Sequence, residues 1–236
     1  MNQGRVFLIP CPLGEISPMA TLPLSVLKTI EQTDYYVVEH EKNARRFIKS
    51  ICPQKKQAEL KISTINKFTD PLEIPQLIKP CLEGFDMGII SDAGCPGVAD
   101  PGAEIVNWAH QHKIKVIPLV GPSSVLLALM ASGLNGQKFA FHGYLPIDPI
   151  DRKKHLKRLE KQSQQEQQTQ IFIETPYRNN QLLQALTKTL KSDTMLGVAC
   201  HLTLEDGFVL TQEVNHWQPA KYDFHNQPCI FSFLAQ

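Results

Sequence analysis

The sequence predicts an α/β fold with two domains: a mostly parallel N-terminal sheet with helices on both faces, and an α+β C-terminal domain with a mixed sheet. In the N-terminal part, short apolar runs alternate with apolar residues at helical spacing, which is typical of a parallel sheet covered by helices. Near the C-terminus, strand-like runs follow one another without a helix between them, which indicates antiparallel neighbours. We expect the domains to span residues 1–120 and 121–236.

The N-terminal domain begins with a strand, because the apolar run RVFLI is ended by a proline, which cannot continue a central ladder. The following elements are predicted from β-branched and aromatic runs (strands) or from helical spacing of apolar residues (helices). In chain order they are helix ATLPLSVLKTIEQTD, strand YYVVE, basic helix EKNARRFIKSIC, the proline-interrupted helix DPLEIPQLIKPCLEGF, strand MGIIS, helix GAEIVNWAHQH, strand KVIPLV and helix GPSSVLLALMASG, which we expect to end at Gly133.

The C-terminal domain is predicted to begin with the strand and loop KFAFHGYLP and the basic helix DRKKHLKRLEKQ. The stretch SQQEQQTQ has low complexity, and we expect it only to connect its neighbours at the surface. The remaining predicted elements are strand IFIET, helix YRNNQLLQALTKTLK and strands MLGVAC, FVLTQEV and CIFSFL.

Composition argues against several classes of protein. With 24 Lys and Arg against 23 Asp and Glu, the net charge of +1 argues against binding of long nucleic acid through overall charge, although a local basic surface remains compatible. The six cysteines show neither a C-x-x-C pair nor metal-ligand spacing, so no zinc site, disulfide framework or redox cofactor is indicated. No apolar stretch suits a signal peptide or a membrane span, so we expect a soluble cytoplasmic protein.

Four predicted strands are followed by loops rich in glycine, proline and small polar residues: PCPLGE, SDAGCPGVADPG, GPSS and GYLP. Ligands of open α/β sheets bind at the carboxyl ends of the strands, where such residues let a ligand approach the backbone. The second loop is long, because strand-to-helix connections usually take about two to six residues. Each loop alone is also explained as an ordinary turn, but together they indicate one cleft.

Two polar positions in these loops suggest the chemistry of a ligand. Ser123 or Ser124 caps the following helix, whose free N–H groups and positive dipole end favour a carboxylate or phosphate. Asp92 directly follows a strand, where its carboxylate can accept hydrogen bonds from a ribose or an ammonium group. The alternative is that these serines are only caps and that Asp92 is only a turn residue. The sequence contains no P-loop, dinucleotide fingerprint or G-x-S-x-G elbow.

The chain resembles the tetrapyrrole-methylase fold family of S-adenosylmethionine-dependent methyltransferases, and within it the branch that methylates the ribose 2′-oxygen of a cytidine in ribosomal RNA. The resemblance covers nearly the whole chain in the order of the family's motifs. It is carried by IPCPLGEI, VVEHEKNARRFI, IISDAGCPGVADPGAEIV, VIPLVGPSSVLLALMASGL, FAFHGYLP, RKKHLKRLE, IFIETPYR and ACHLTLEDGFVLTQEV.

The resemblance implies a methyltransferase that uses S-adenosyl-L-methionine as cofactor, binds it in the cleft between the two domains, methylates RNA and forms a homodimer. We expect catalytic roles for Glu39, Arg45 and Asp92. The cofactor-binding residues that it implies are Pro10, Pro12, Leu13, Gly14, Asp92, Ala93, Gly94, Pro96, Val98, Ala99, Asp100, Ser123, Ser124, Tyr144, Leu145, Pro176 and Leu202.

The motifs on the donor side keep the family's pattern, whereas those on the acceptor side depart from it. The family's E-D-T-R-x-T-R stretch reads EHEKNAR, which keeps Glu39 and Arg45, and its E-H-N-E stretch reads TINK, which keeps only Asn66. Cys95 replaces a threonine and Tyr177 replaces a histidine. The chain also stops just after CIFSFL, without the C-terminal extension that is common in the branch.

Three functions therefore stay open: a ribosomal RNA ribose methyltransferase, a methyltransferase of the same fold for a small molecule or another RNA, and a catalytically weak donor-binding protein. Glu39 and Asp92 are candidates for the base, and Lys42 and Arg45 for holding a phosphate. Glu39 is equally explained as a surface carboxylate paired with one of these cations. We expect His40 to be an exposed polar residue rather than a base.

The basic helix RKKHLKRLEK also has two interpretations. Its cations match the phosphate contacts that supply most nonspecific affinity for RNA. Alternatively, they form the solvated face of an amphipathic helix that buries Leu156 and Leu159.

Overall fold

A computed structural model of the chain describes residues 3–66 and 68–236 and shows two units, each built on a five-stranded sheet. The first unit ends at Ser123, and the second runs from Ser124 to Gln236. Within the described residues, no helix is both long and apolar enough to cross a bilayer.

The sheet of the first unit is entirely parallel, and its strands lie in the order 3-2-4-1-5. Its strands are β1 (Arg5–Ile9), β2 (Tyr35–Val38), β3 (Lys61–Thr64), β4 (Met87–Ile90) and β5 (Lys115–Pro118). Its helices are α1 (Leu24–Gln32), α2 (Glu41–Ile51), α3 (Ile74–Leu82) and α4 (Gly102–Gln111). Because all five strands run in one direction, their carboxyl ends lie at the same edge of the sheet.

Helices cover both faces of this sheet, as the sequence predicts. Successive side chains of β1 point to opposite faces, because the side-chain period of a strand is two residues. Phe7 and Ile9 pack into the apolar cluster formed with α1 and α2, whereas Val6 and Leu8 pack into the cluster formed with α3 and α4. The apolar runs of the central strands are therefore buried on both sides.

The sheet of the second unit is mixed, which confirms the predicted fold class. Its strands are β6 (Phe139–Tyr144), β7 (Thr169–Ile173), β8 (Met195–Cys200), β9 (Phe208–Glu213) and β10 (Cys229–Leu234), in the order 6-7-10-8-9. Its helices are α5 (Ser124–Ser132), which ends directly before Gly133 as predicted, α6 (Pro149–Glu166) and α7 (Asn179–Thr189). β6 is parallel to β7, and β7 and β8 are both antiparallel to β10, so β6, β7 and β8 run in the same direction.

The expectation that SQQEQQTQ only connects its neighbours is wrong. α6 continues to Glu166, and β7 already begins at Thr169. The fully buried Ser163 holds the end of the helix: its hydroxyl donates to the carbonyl of Gln168 at 2.8 Å and accepts the N–H of Ala235 at 2.9 Å. Composition cannot show the role of Ser163, because its partner Ala235 directly follows β10 and reaches the end of α6 only when the sheet has formed.

Gly121 allows the segment after β5 to lie directly against the segment after β1. A Cβ atom added to Gly121 would lie 2.3 Å from Cβ and Cγ of Pro10. Carbon atoms do not approach so closely, so any side chain at this position must push the two segments apart.

We expect Gly121→Ala to destabilise the protein by about 1–3 kcal/mol, because the added methyl group overpacks this contact. Thermal unfolding followed by circular dichroism measures the change in Tm. Gly136→Ala is the matched control, because a Cβ atom at Gly136 meets no heavy atom within 4 Å. Equal Tm values for the two variants would contradict the close approach.

Candidate active site

Segments that follow three strands of the first sheet contact one another at its carboxyl edge. Cys11, after β1, and Gly94, after β4, form an antiparallel backbone bridge with N–H to O distances of 2.9 and 3.1 Å. The Cys95 thiol donates to the carbonyl oxygen of Pro122, after β5, at 3.3 Å. The strand order explains these contacts, because β1 lies between β4 and β5.

The long loop after β4 has left-handed backbone at three positions: Gly94 (φ 71°), Gly97 (φ 81°) and Ala99 (φ 61°). Glycine adopts this conformation without steric cost, whereas alanine does not. The Oδ1 atom of Asp100 fixes the loop by accepting the N–H groups of Gly97 at 2.8 Å and Gly102 at 2.7 Å. The loop is therefore tied to the first residue of α4.

The other carboxylate oxygen of Asp100, Oδ2, is buried and has no hydrogen-bond partner among the described residues. Burial raises the pKa of Asp100, and the two N–H groups that it accepts lower it in part. A buried acceptor without a partner is costly unless a ligand or water satisfies it. This oxygen is therefore a candidate ligand contact.

Glu39, His40 and Asp92 form a cluster after the neighbouring strands β2 and β4. Glu39 Oε1 accepts the N–H of Asp92 at 3.1 Å, and Asp92 Oδ2 lies 2.6 Å from His40 Nδ1. Burial raises the pKa of Glu39, and the nearby carboxylates of Asp100 and Asp92 raise it further, whereas the Asp92 N–H and His40 lower it. The cluster therefore holds Asp92 by both its backbone and its side chain.

A cavity of about 530 Å³ opens beside this cluster. Its walls are the segment 11–18 after β1, the segment 91–93 after β4, and one face of α2. Its volume is in the range of small-molecule sites. The predicted site residues that line it are Pro12, Leu13, Gly14, Asp92 and Ala93, and α2 contributes Asn43, Ala44, Arg46, Phe47 and Ser50.

Arg45 lies on α2 but does not line this cavity. Its guanidinium group donates to Glu41 Oε1 at 2.8 Å and to the carbonyl oxygen of Gln57 at 2.7 Å. Arg46 is the arginine that faces the cavity, 3.7 Å from Glu15. The structure thus gives Arg45 contacts that hold α2 to the segment after it.

Asn66, the residue that TINK shares with the family's motif, shapes the turn after β3. Its Oδ1 accepts the N–H of Phe68 at 2.8 Å, and its own N–H donates to Thr69 Oγ1 at 2.9 Å. Lys67, which ends the TINK stretch, lies outside the described residues.

Of the remaining predicted site residues, Pro96, Val98 and Ser123 lie in the first unit, and five lie in the second. Tyr144 ends β6 and Leu145 follows it, Pro176 follows β7, and Leu202 follows β8. Because these strands run in one direction, the four residues lie at the same edge of the second sheet. Tyr144 is 59% exposed, whereas Leu145 is buried. Ser124 begins α5.

Sequence reasoning missed the wall formed by α2 and the pairing of His40 with Asp92. His40 is exposed over 69% of its side chain, as expected, but it is bonded to a carboxylate. The available signal was that His40 directly follows Glu39 at the end of β2. This signal points to Asp92 only when β2 and β4 are known to be neighbours, because neighbouring parallel strands place the residues that follow them side by side.

No family model matches the chain. It is similar to curated proteins named "Ribosomal RNA small subunit methyltransferase I". The chain is 30% identical to the Vibrio cholerae protein over 202 aligned residues, and this alignment covers 84% of the chain and 65% of the relative. It is 27% identical over 218 residues to that of Escherichia coli O157:H7, which covers 92% of this chain and 70% of the relative. The chain thus spans just under two thirds of the Vibrio cholerae protein, and 58% of a Streptococcus pyogenes relative.

Two solved structures have the same fold. The methyltransferase CobJ superposes with a TM-score of 0.65 at 13% identity, covering 99% of this chain and 100% of that one. The uroporphyrin-III-C-methyltransferase of Thermus thermophilus superposes with a TM-score of 0.58 at 18% identity, covering 98% and 92%. The tetrapyrrole-methylase fold expected from the sequence is therefore confirmed.

We expect Glu39→Gln to raise Tm at neutral pH by about 2 °C. The pKa of Glu39 is higher in the folded state than in the unfolded chain. Ionisation of Glu39 therefore lowers the free energy of unfolding as the pH rises past the pKa of this residue in the unfolded chain. Glutamine can still accept the Asp92 N–H without the charge. Scanning calorimetry at several pH values measures the gain.

The gain from Glu39→Gln should vanish in acid, where Glu39 is protonated in both the folded and the unfolded state. Glu205→Gln, at an exposed loop position in the second unit, is the matched control and should leave Tm unchanged. A lower Tm of Glu39→Gln at neutral pH would show that the carboxylate stabilises the fold.

Proposed function

Because this chain is homologous to the proteins named ribosomal RNA small subunit methyltransferase I, we propose that it is an S-adenosylmethionine-dependent methyltransferase that methylates the ribose 2′-oxygen of a cytidine in small-subunit ribosomal RNA. The observation that carries the proposal is this similarity, which extends over 84% of the chain in the Vibrio cholerae relative. When bound, the donor supplies an electrophilic methyl group on a sulfonium. The protein must align donor and acceptor and accept the hydroxyl proton.

The chemistry of the first unit fits this donor. The buried, unpartnered Oδ2 of Asp100 is an acceptor for an ammonium or ribose hydroxyl group. Glycines with left-handed backbone keep side chains away from the loop after β4. The donor contacts that we propose in this unit are Pro10, Pro12, Leu13, Gly14, Asp92, Ala93, Gly94, Pro96, Val98, Ala99, Asp100 and Ser123.

In the second unit we propose Ser124, Tyr144, Leu145, Pro176 and Leu202 as further donor contacts. Their placement after strands of one direction supports this, since it brings the four strand-end residues to one edge of the second sheet, where ligands of such sheets bind.

For catalysis we propose that Glu39 and Asp92 act at the rim of the cavity. Their support is the cluster that they form with His40 beside the α2 wall. We assign Arg45 a positioning role, since its bonds to Glu41 and Gln57 hold α2 in place.

A basic face on α6 supports RNA as the acceptor. Lys154, Lys157, Arg158 and Lys161 recur at the spacing of helical turns, so they share the exposed side of the helix opposite the buried Leu156. Cations on such a face neutralise backbone phosphates without reading the sequence. The burial of Leu156 agrees with the amphipathic interpretation as well, and the two are compatible.

We further propose that the enzyme is a cytoplasmic homodimer. The location follows from the proposed acceptor, since ribosomal RNA is found in the cytoplasm. The dimer follows from the resemblance, and exposed apolar side chains on α5 support it: Leu126 is 50% exposed and Met130 is 77% exposed. Pairing with a second copy would remove such apolar surface from water.

The altered acceptor-side motifs favour one alternative, a methyltransferase of this fold for a small molecule or another RNA. In that case small ribosomal subunits would stay unlabelled by a labelled donor, whereas another fraction of a cell extract would be labelled. Donor binding without transfer to any fraction would instead indicate a donor-binding protein that is catalytically weak.

We expect Asp100→Asn to weaken the binding of S-adenosylmethionine by about 10-fold or more, because the amide replaces an acceptor with a donor at the Oδ2 position. Isothermal titration calorimetry measures the Kd. Asp193→Asn is the matched control, because Asp193 is exposed on the second unit. Equal Kd values for both variants and the unsubstituted chain would remove Asp100 from the donor site.

We expect the unsubstituted chain to transfer labelled methyl groups to small ribosomal subunits from cells that lack this gene, with the label mapped to a cytidine ribose by mass spectrometry.

The double variant Arg158→Gln with Lys161→Gln should bind RNA more weakly, and the slope of log affinity against log salt concentration should become shallower by about one for each lost phosphate contact. Lys28→Gln with Lys188→Gln is the control with the same loss of charge. Identical slopes would exclude α6 from the RNA interface.

A further inference from the structure

We propose that His40, oriented by Asp92, is the general base that accepts the proton of the acceptor hydroxyl group. The inference rests on the proposed methyltransferase function and assigns the proton transfer within it to a residue that the sequence did not mark as catalytic.

The geometry holds the imidazole of His40 in one orientation. Its Nδ1 lies 2.6 Å from Asp92 Oδ2, and Asp92 is itself fixed because its backbone N–H donates to Glu39 at 3.1 Å. The backbone of His40 is fixed too, because its carbonyl accepts the N–H of Ala44 in the first turn of α2. Both partners of the pair are therefore anchored on the fold.

The pairing directs the reactive lone pair of the imidazole outward. A carboxylate accepts from Nδ1–H, so the neutral ring carries its lone pair on Nε2. No hydrogen bond to Nε2 is found within the described part of the chain, and 69% of the side chain is exposed. Nε2 is therefore free to accept a proton from a molecule that binds beside it.

The pair stands at the edge of the cavity. Asp92 lines the cavity directly, and α2, which begins immediately after His40, supplies its far wall through Asn43 and Phe47. His40 itself is not among the lining residues, but its bond to Asp92 places the imidazole next to the cavity, where we expect the acceptor to bind.

Chemistry favours His40 over its neighbours. Imidazole is the side chain whose unperturbed proton affinity matches a neutral medium, and a base works best near the operating pH. The carboxylate of Asp92 is already bonded to His40, and that of Glu39 accepts a backbone N–H. Asp92 contacts the imidazole directly, and Glu39 lies close enough to interact with it electrostatically.

The inference also gives a meaning to one departure from the family's motif. The family's E-D-T-R pattern has an aspartate where this chain has His40. In this chain the residue beside Asp92 is therefore a base rather than a second carboxylate.

The step is balanced: the hydroxyl proton moves to Nε2, the oxygen electron pair bonds the methyl carbon, and the electron pair of the carbon–sulfur bond stays on sulfur, which becomes a neutral thioether.

The first test compares His40→Gln with His110→Gln, a control on the exposed side of α4. We expect His40→Gln to lower the transfer rate to small ribosomal subunits by about 100-fold or more, to leave the calorimetric Kd of S-adenosylmethionine within about twofold, and to remove the acid limb of the pH–rate profile. A rate within about threefold of the control variant, or an unchanged acid limb, would overturn the assignment.

The second test does not depend on activity. Two-dimensional ¹⁵N imidazole spectra should show neutral His40 with its proton on Nδ1, and Asp92→Asn should remove this preference, because an amide can donate to Nδ1 instead. A neutral Nε2–H tautomer in the unsubstituted chain would overturn the inference. If the unsubstituted chain neither binds the donor nor methylates RNA, both the proposed function and the assignment of His40 are wrong. If methyl transfer survives in His40→Gln, only the assignment of His40 is wrong.

Discussion

The common direction of the strands in the first sheet, with β4 between β2 and β1, is the constraint on which the candidate site depends. The residues after β4 meet those after β2 on one side and those after β1 on the other. Asp92 thus reaches Glu39 and His40, while Gly94 bridges to Cys11. An antiparallel arrangement of the same segments would separate these residues by the length of a strand.

Most elements of the fold were predictable because their signals are local; β3 was not predicted, since this short strand is largely exposed and carries no apolar run. The apolar run of β1 and the helical spacing in α1 and α4 reflect burial that each segment achieves wherever it sits in the sheet. The order of the strands is not local, since it depends on which segments pair after collapse. For this reason the sequence indicated Glu39 and Asp92 separately, while the bond between Asp92 and His40 and the wall formed by α2 appeared only in the structure. Ser163 is a similar case, because its partner Ala235 is 72 residues away.

The site also concentrates features that oppose folding. Glu39 is an acid whose ionisation is disfavoured by burial, Asp100 leaves one oxygen without a partner, and Ala99 has a left-handed backbone. Each of these costs stability, and the cost is offset by the apolar clusters on the two faces of the sheet. Such a concentration is typical of sites where a ligand completes what the chain leaves unsatisfied.

Asp100 connects two events through a single carboxylate. One oxygen holds the loop after β4 to the first N–H of α4, and the other is free to receive a ligand. Ligand binding and the local opening of the first turn of α4 are therefore thermodynamically linked. If a bound ligand raises the free energy of opening that turn, the ligand binds more tightly to the closed turn than to the open one by the same free energy. Amide hydrogen exchange at the start of α4 thus becomes a reporter of a binding event in which none of those amides takes part.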